Sequence, residues 1–448
     1  MRALKSSLDP FAEKKPAMAR DEALIEANRC LNCYDAPCMR ACPTHIDVPG
    51  FIKKIATGNL RGSARTILEA NILGASCARV CPTEVLCEGA CVLNDLHHQP
   101  IDIGRLQRYA TDPFVVAATG PDARPMFTAA PKNGKRAALI GAGPASLSCA
   151  AELSRRGWEA VIFESAPQPG GLNTYGVAEY KMTYETSLKE IEWVLECGAE
   201  LRCDTTIGRD IAVETLLSDY DAVFVGVGLG PVGPLGLPGE DLPGVRDVLE
   251  FIAELKTSDR SAMSLKGQKV AIIGGGNTAI DGVTQACRLG AEVVYMVYRR
   301  GLDDLPAYAH ELELARTDGA QLVLNALPTC VTGPDRVSEL TCVRTRSGEP
   351  GSDGKRAFEV IEGSEFKLDV DLILRASGQE KRRGFLATIP SLEVDRSGRV
   401  VVDGDGRTGN EKVYAAGDCV SGGQEVVNAV ADGKRCAVAI DRAFRGGN

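Results

Sequence analysis

Eight of the sixteen cysteines in this chain fall between Cys30 and Cys91, and the rest are scattered singly from Cys149 onward. Cys30, Cys33, Cys38 and Cys42 are spaced C-x2-C-x4-C-x3-C with Pro43 directly after, and Cys77, Cys81, Cys87 and Cys91 follow as C-x3-C-P-x4-C-x3-C. Thiolates packed this tightly, with proline straight after a cluster cysteine, mark runs that feed two iron-sulfur clusters. Structural zinc also takes four thiolates at a time, but zinc ribbons usually present two C-x2-C knuckles and this run has only Cys30 to Cys33. A disulfide framework needs an oxidising compartment. The amino-terminal twenty residues carry Arg2, Lys5, Asp9, Glu13, Lys14 and Lys15 with no apolar h-region, so no export signal is expected and the thiols read as reduced, in a cytoplasmic protein.

A second chemistry begins at Arg136. Ala137-Ala138-Leu139-Ile140 reads as a buried strand, and Gly141-Ala142-Gly143-Pro144-Ala145-Ser146 follows as G-x-G-x-x-S. Glycines there let the backbone approach a pyrophosphate at the positive end of the next helix. A second strand, Ala160 to Phe163, ends at Glu164, about 20 residues on, where a carboxylate takes the ribose hydroxyls of an adenosine. Pro169-Gly170-Gly171-Leu172 then offers another close backbone approach, which goes with FAD. Lys269 to Ile273 opens a second fingerprint, Gly274-Gly275-Gly276-Asn277-Thr278-Ala279, leading into the helix Ile280 to Arg288. Its partner strand, Ala291 to Val297, runs into Tyr298-Arg299-Arg300 rather than an acidic residue. Two guanidiniums at that position suit a 2′-phosphate, so NADPH is favoured over NADH; the plain alternative is a solvated basic turn. Near the carboxyl end a strand, Val413 to Ala416, runs into Gly417-Asp418, and a helix is expected from around Gln424 with Val426, Val427 and Val430 on one face.

These groups need elements to hold them. Around the cysteines, apolar residues recur at helical spacing: Ala23, Leu24 and Ala27; Ile52 and Ile55; Ala64, Ile67 and Leu68. Pro49 suits a first helical turn. With 448 residues, about three domains are expected. The fold class is α/β: an N-terminal α-helical domain, 1–130, binding two [4Fe-4S] clusters, then two Rossmann-like, doubly wound dinucleotide-binding domains. FAD pieces lie on both sides of the nicotinamide fingerprint, so the FAD domain is discontinuous, 131–240 and 375–448, with the NAD(P)H-binding domain, 241–374, inserted. Thr111 to Lys135, with Pro113, Pro121, Pro125 and Pro131, reads as a linker. The cysteine domain has too little apolar matter to stand alone, so loss of iron is expected to unfold it.

Composition closes off other classes. A formal charge of -9 argues against nucleic acid. The longest uncharged run, Ala222 to Gly239, is broken by prolines and glycines and reads as strand and loop, so no membrane span is expected. None of His45, His97, His98 and His310 forms a ligand-spaced pair, and they read as surface or packing residues.

Together, the cysteine module, FAD fingerprint, nicotinamide fingerprint and Gly-Asp resemble the glutamate synthase small subunit and, more closely, the flavin half of dihydropyrimidine dehydrogenase, including its separate bacterial flavin/iron-sulfur subunit. The resemblance covers nearly the whole chain. Cys30-Leu31-Asn32-Cys33-Tyr34-Asp35-Ala36-Pro37-Cys38, Cys81-Pro82-Thr83-Glu84-Val85-Leu86-Cys87 and Ile101-Asp102-Ile103-Gly104-Arg105-Leu106-Gln107 look like the pyrimidine enzyme. The glutamate synthase pattern has a shorter Cys-Pro-Ala-Pro-Cys where five residues here separate Cys81 from Cys87. Two departures are Ala178-Glu179-Tyr180-Lys181-Met182, where relatives often carry Pro-x-Phe-Arg/Lys-Leu/Met, and Ser377-Gly378 in place of Thr-Gly.

The resemblance implies one [4Fe-4S] cluster on Cys30, Cys33, Cys38 and Cys91, and a second on Cys42, Cys81, Cys87 and Gln107, leaving Cys77 spare. Counting alone would give all eight cysteines to the clusters, so Cys77 and Gln107 compete. It also implies that Gly417 and Asp418 hold the ribityl and phosphate region of the flavin. The helix that begins around Gln424 and carries Val426 would then aim its amino end at the isoalloxazine. The expected activity is NAD(P)H oxidation through FAD and the clusters, with no catalytic side chain, feeding an FMN/iron-sulfur catalytic subunit that reduces uracil or thymine. The rivals are a glutamate synthase small subunit, another NADPH-dependent electron donor, and a non-catalytic metal-stabilised scaffold.

Overall fold

Proline is tolerated in the first turn of a helix, where its missing N–H has no intrahelical partner anyway, and Pro37 and Pro49 sit in the first turns of the helices Pro37–Ala41 and Val48–Ala56. The computed structural model describes residues 9–116, 126–350 and 356–445. In it the cysteines are carried on a helical framework that also includes Arg20–Asn28, Leu60–Ala70, Gly74–Val80 and Ile103–Val115. Asp47, Asn59 and Asp102 cap three of these helices by accepting from the backbone N–H of Gly50, Gly62 and Arg105, each cap contributing about 1 kcal/mol. The periodic apolar residues Ala23, Ala27, Ile52, Ile55 and Ile67 are buried in one core with Phe51 and Leu106.

The proposed linker is corrected at its start. Thr111 to Val115 continues the helix Ile103–Val115, with Pro113 inside it. The last turn persists because Asp112 is gripped by the Arg79 guanidinium at 2.8 Å and by Arg108 at 3.0 Å, and Thr111 Oγ1 donates to the Gln107 carbonyl. Pro121 and Pro125, like Arg2 and Lys5, lie outside the described residues.

The chain forms two units. One comprises Glu13–Thr174, Lys181–Leu229 and Lys381–Asn448. Its parallel sheet has the strand order Val413–Ala415, Ala222–Val225, Arg136–Ile140, Glu159–Phe163, Glu200–Arg202. The three central strands are apolar nearly throughout, as strands covered on both faces must be. The helix Val426–Arg445 packs on Pro144–Ser154 so closely that a Cβ on Gly433 would stand 2.0 Å from the Ala145 carbonyl oxygen. The cysteine framework shares a core with this sheet: Ala64, Leu68, Ile72 and Ala75 belong to the same buried cluster as Leu139, Leu147 and Trp193.

The other unit comprises Met1–Ala12, Tyr175–Tyr180 and Gly230–Glu380. Its parallel sheet runs Val245–Asp247, Leu372–Arg375, Lys269–Ile273, Val293–Val297, Gln321–Val323. A separate antiparallel sheet holds Arg356–Val360, Glu339–Pro350 and Phe366–Asp369, with Ala326–Thr332 also paired to the long strand. The segment that departs from its relatives is fixed here: Tyr180 is fully buried, its hydroxyl donates to Asp281 at 3.1 Å, and the Arg288 guanidinium lies 4.1 Å over its ring. Glu179 pairs with Lys256 and Arg260, each at 3.5 Å. Among the described residues, no helix is long and apolar enough to cross a membrane.

Within the first unit, one buried carboxylate joins the flavin-type fold to the cysteine framework. Glu190, on the helix Tyr184–Leu195, accepts from the N–H of Ala75 at 2.8 Å, the N–H of Ser76 at 3.0 Å and the Ser76 hydroxyl. Burial pushes its carboxyl up to about 7 although these donors pull the other way. A carboxyl raised in the folded state contributes stability that is fully present below its unfolded value and is lost as pH rises to the folded one. Between about pH 4.5 and 7 that loss amounts to about 3 kcal/mol. Glu190→Gln, which mimics the protonated acid, is therefore expected to flatten the fall in melting temperature between pH 5.5 and 8. Parallel wild-type and variant curves in differential scanning calorimetry would refute this.

Candidate functional site

Four of the expected cluster cysteines come together from distant stretches of chain. Cys30 and Cys33 lie on the loop after the helix Arg20–Asn28, Cys38 is in Pro37–Ala41, and Cys91 precedes a short 3-10 turn. All four line one cavity whose remaining wall is apolar, including Leu31, Pro37, Val48, Ile52 and Ile103. Arg29 ties the loop that follows Cys91 to this helix by donating to the carbonyls of Gln99 and Pro100. Burial pushes the Cys30 thiol up and the Cys38 thiol up to about 11, with the charges of neighbouring cysteines adding to both. Thiolates in such a cavity need a cation among them. The donor set fits a metal cluster.

The second set lies deeper. Cys42 and Cys77 are buried. The Cys77 thiol lies beside that of Cys81, and Cys87 is near both Cys81 and Cys42; this closeness, burial and mutual repulsion hold the Cys81 and Cys87 thiols well above the usual range. Gln107 projects from Ile103–Val115 and is buried, its Nε2 donating to the Gly74 carbonyl at 2.7 Å. With Nε2 committed to that carbonyl, Oε1 is the atom the amide can offer to iron. Gly74 opens the helix that bears Cys77. Among the described residues no three His, Cys, Asp or Glu side chains are grouped closely enough to hold a single metal ion; the first set lines a cavity rather than a closed coordination sphere.

In the same unit, the first glycine fingerprint forms a bare backbone cradle. Gly141 has φ +90°, in the left-handed region, and a Cβ there would meet the Gly226 carbonyl oxygen at 2.8 Å. A Cβ on Gly143 would meet nothing nearer than 4.0 Å, so this side is open for a ligand. Gly171 approaches from the second turn, where a Cβ would lie 3.3 Å from the Gly143 Cα. Pro144 and Ala145 start the helix Pro144–Ser154, whose amino end adds positive potential. Glu164 accepts from the N–H of Ala142 at 2.7 Å and of Ala166 at 2.8 Å, which fixes its carboxylate beside the cradle. Leu172, after Gly170 and Gly171, is partly exposed, and the Asn173 Oδ1 next to it is buried without a hydrogen-bond partner. An open cradle and an orphaned acceptor fit a dinucleotide. Gly417 has φ +73°, and Asp418 Oδ1 accepts from the N–H of Gln424 at 3.1 Å, with burial pushing its carboxyl up. The helix expected from around Gln424 begins at Val426, because Gln424 is held in the turn by Asp418. Sequence reading missed Lys381, which donates to the Gly422 carbonyl at 3.2 Å and puts a positive charge beside Asp418.

The second fingerprint lies in the other unit. A Cβ on Gly276 would meet nothing within 4 Å, whereas one on Gly275 would strike the Tyr298 ring at 2.6 Å. Asn277 and Thr278 open the helix Asn277–Arg288, Ala279 is fully buried, and Asn277 Oδ1 accepts from the N–H of Tyr308 at 3.1 Å. Gly274 ends the preceding strand, where its N–H donates to Val297 O at 3.0 Å. Arg299 and Arg300 lie 5.2 and 5.7 Å from the centroid of one ring, Phe358. Arg300 Nε also donates to the Arg356 carbonyl at 2.9 Å. The antiparallel sheet thus holds both guanidiniums at the end of the strand Val293–Val297.

A thiol-lined helical module joined to two parallel dinucleotide folds defines the class of NAD(P)-dependent flavin and iron-sulfur oxidoreductases. Residues 7–118 match the family model for dihydropyrimidine dehydrogenase domain II, 4Fe-4S cluster, and residues 135–433 match that for pyridine nucleotide-disulphide oxidoreductase. The chain is 37% identical to the glutamate synthase [NADPH] small chain of Halomonas elongata, over 96% of this chain and 95% of that one. It is 34% identical to the NAD-dependent dihydropyrimidine dehydrogenase subunit PreT of Escherichia coli O157:H7, over 97% of each. Mycobacterium tuberculosis FprA in complex with NADPH shares the fold, with a TM-score of 0.59 at 19% identity over 70% of this chain and 85% of that one. The chain belongs to the pyridine nucleotide-disulphide oxidoreductase family, preceded by a 4Fe-4S domain of the dihydropyrimidine dehydrogenase type.

Proposed function

We propose that this chain is the electron-input subunit of a dihydropyrimidine dehydrogenase: it oxidises NADPH, or NADH, and supplies a separate FMN/iron-sulfur subunit that reduces uracil or thymine to the 5,6-dihydropyrimidine. The observation that carries the electron-transfer reading is the apolar cavity that gathers the four thiols of Cys30, Cys33, Cys38 and Cys91. The spacing of Cys81 to Cys87 and the PreT relative support the pyrimidine assignment.

The chemistry FAD would supply when bound is the conversion of a two-electron hydride donor into two single-electron deliveries to [4Fe-4S] acceptors and one proton released to solvent. The chain's own residues hold and orient. Cys30, Cys33, Cys38 and Cys91 would hold one cluster; Cys42, Cys81, Cys87 and Gln107 the other. Gly141, Gly143, Gly170 and Gly171 bring bare backbone to the FAD pyrophosphate, and Glu164 takes the adenosine ribose. Gly417 and Asp418 hold the ribityl side. Gly274, Gly276, Asn277 and Thr278 cradle the nicotinamide dinucleotide, with Arg299 and Arg300 on its 2′-phosphate. The hydride step itself calls for no general acid or base among these residues.

Anaerobically purified chain alone is expected to oxidise NADPH with an artificial acceptor but not with uracil. Adding the FMN/iron-sulfur subunit encoded by the same source should confer uracil-dependent oxidation. If activity appears instead with glutamine, 2-oxoglutarate and a large glutamate synthase subunit, the pyrimidine assignment is overturned.

A further inference from the structure

The residues just before the first cysteine run have no assigned task, yet three guanidiniums hold them down. Glu13 pairs with the Arg79 Nε at 3.1 Å and with Arg108 Nη2 at 2.5 Å. The Lys15 carbonyl accepts from Arg108 Nη1, and the Pro16 carbonyl accepts from Arg105 Nε at 2.9 Å. Arg79 is 1% exposed and is paired on its other side with Asp112. Buried guanidiniums cost desolvation unless their donors are satisfied, so this belt fixes the backbone of residues 13–16 on the helices Gly74–Val80 and Ile103–Val115. The belt delivers one group. Lys15 Nζ donates to the Cys81 carbonyl at 3.1 Å and to Thr83 Oγ1 at 2.8 Å, with its side chain 14% exposed. Its charge acts on both Cys81 and Cys87. Two carboxylates share its surroundings: Glu84, 38% exposed at 4.0 Å, and the half-buried Glu88, whose charge opposes that of Lys15 at Cys87.

We infer that Lys15 is a positioning residue of the second cysteine site, whose mostly buried ammonium holds the Cys81–Thr83 turn and favours the reduced state of the group bound by Cys42, Cys81 and Cys87. The inference rests on the two-cluster reading proposed above. Reduction adds one negative charge to a cluster already surrounded by thiolates, and in a poorly solvated site a nearby cation offsets that charge far better than water would. Net charge, hydrogen bonds and exposure set cluster potentials. A neutral Gln107 in place of a fourth thiolate acts in the same direction. Lys15 does not line the cavity of Cys30, Cys33, Cys38 and Cys91, so the two clusters should be tuned apart.

The test uses full-length, anaerobically prepared protein, with iron and acid-labile sulfide measured before redox titration followed by electron paramagnetic resonance. Lys15→Gln, which keeps hydrogen-bond donors without the charge, and Lys15→Met should each lower the midpoint potential of one cluster and leave the other unmoved at unchanged iron content. Lys15→Arg should restore the wild-type value. Wild-type potentials in Lys15→Gln with full iron overturn the role of Lys15 alone. Wild-type protein with iron for a single cluster overturns the two-cluster reading and this inference with it. If Lys15→Met loses iron, Lys15→Gln decides: a lowered potential supports the inference and an unchanged one overturns it.

Discussion

Serine at Cys33 is expected to remove one cluster and spare the other: iron and sulfide per chain fall by about half, and one of two dithionite-reduced paramagnetic signals disappears. Cys33 shares its cavity with Cys30, Cys38 and Cys91 and with no member of the second set, so the loss should be confined. The same measurement separates Gln107 from Cys77. Gln107→Ala should alter only the signal of the second cluster, whereas Cys77→Ser should leave both signals in place; the reverse pattern would hand the fourth position to Cys77. Electron transfer to a partner should fall by orders of magnitude in Cys33→Ser, because a one-electron path is broken rather than slowed. Chelating the iron should not melt the whole module. Ala64, Leu68, Ile72 and Ala75 are buried in a core shared with the first parallel sheet, so the helix Leu60–Ala70 should keep its hydrogen-exchange protection while the loops around Cys30–Cys42 and Cys81–Cys91 lose theirs.

That shared core also shows where sequence reading stops. Buried parallel strands such as Arg136–Ile140 and Lys269–Ile273 are legible because their apolar runs end in glycine turns, and their chemistry is written in the same few residues. The cysteine module looked too poor in apolar matter because its own apolar positions were counted alone, and part of its core comes from residues such as Leu139 and Trp193. Proline-based punctuation failed at Pro113 for a related reason: besides the i,i+4 partner Arg108, the carboxylate of Asp112 is held by Arg79, 33 residues away, and that grip has no local pattern. Glu190 was equally hidden, since a glutamate in an amphipathic helix reads as a surface residue until the amino end of Gly74–Val80 is placed against it. The antiparallel sheet between the two halves of the second dinucleotide fold carries no motif of its own. It matters because it supplies Phe358.

The role of Arg299 and Arg300 carries the largest expected effect on substrate choice. In the double variant Arg299→Ala/Arg300→Ala, kcat/KM for NADPH should fall by roughly two to four orders of magnitude, on the basis that each charge-assisted contact to a phosphate contributes about 1.5–3 kcal/mol. The fall should appear in KM, because the 2′-phosphate is remote from the hydride and binds equally in ground and transition states. NADH lacks that phosphate, so its kcat/KM should change little. Phe358 gives a graded control: both guanidiniums lie within 6 Å of its ring centroid. That contact is worth about 0.5–1 kcal/mol each at an exposed site, so Phe358→Leu should weaken NADPH several-fold while leaving both charges in place. Lysine at either arginine should recover only part of the loss, since a point charge cannot reproduce a planar fork stacked on an aromatic face. If the pair merely closes a solvated turn, the variants should lower thermal stability and depress NADPH and NADH kinetics together. Equal losses with both nucleotides would remove the 2′-phosphate from the account and leave the cradle of Gly274, Gly276 and Asn277 as the sole basis for nucleotide binding.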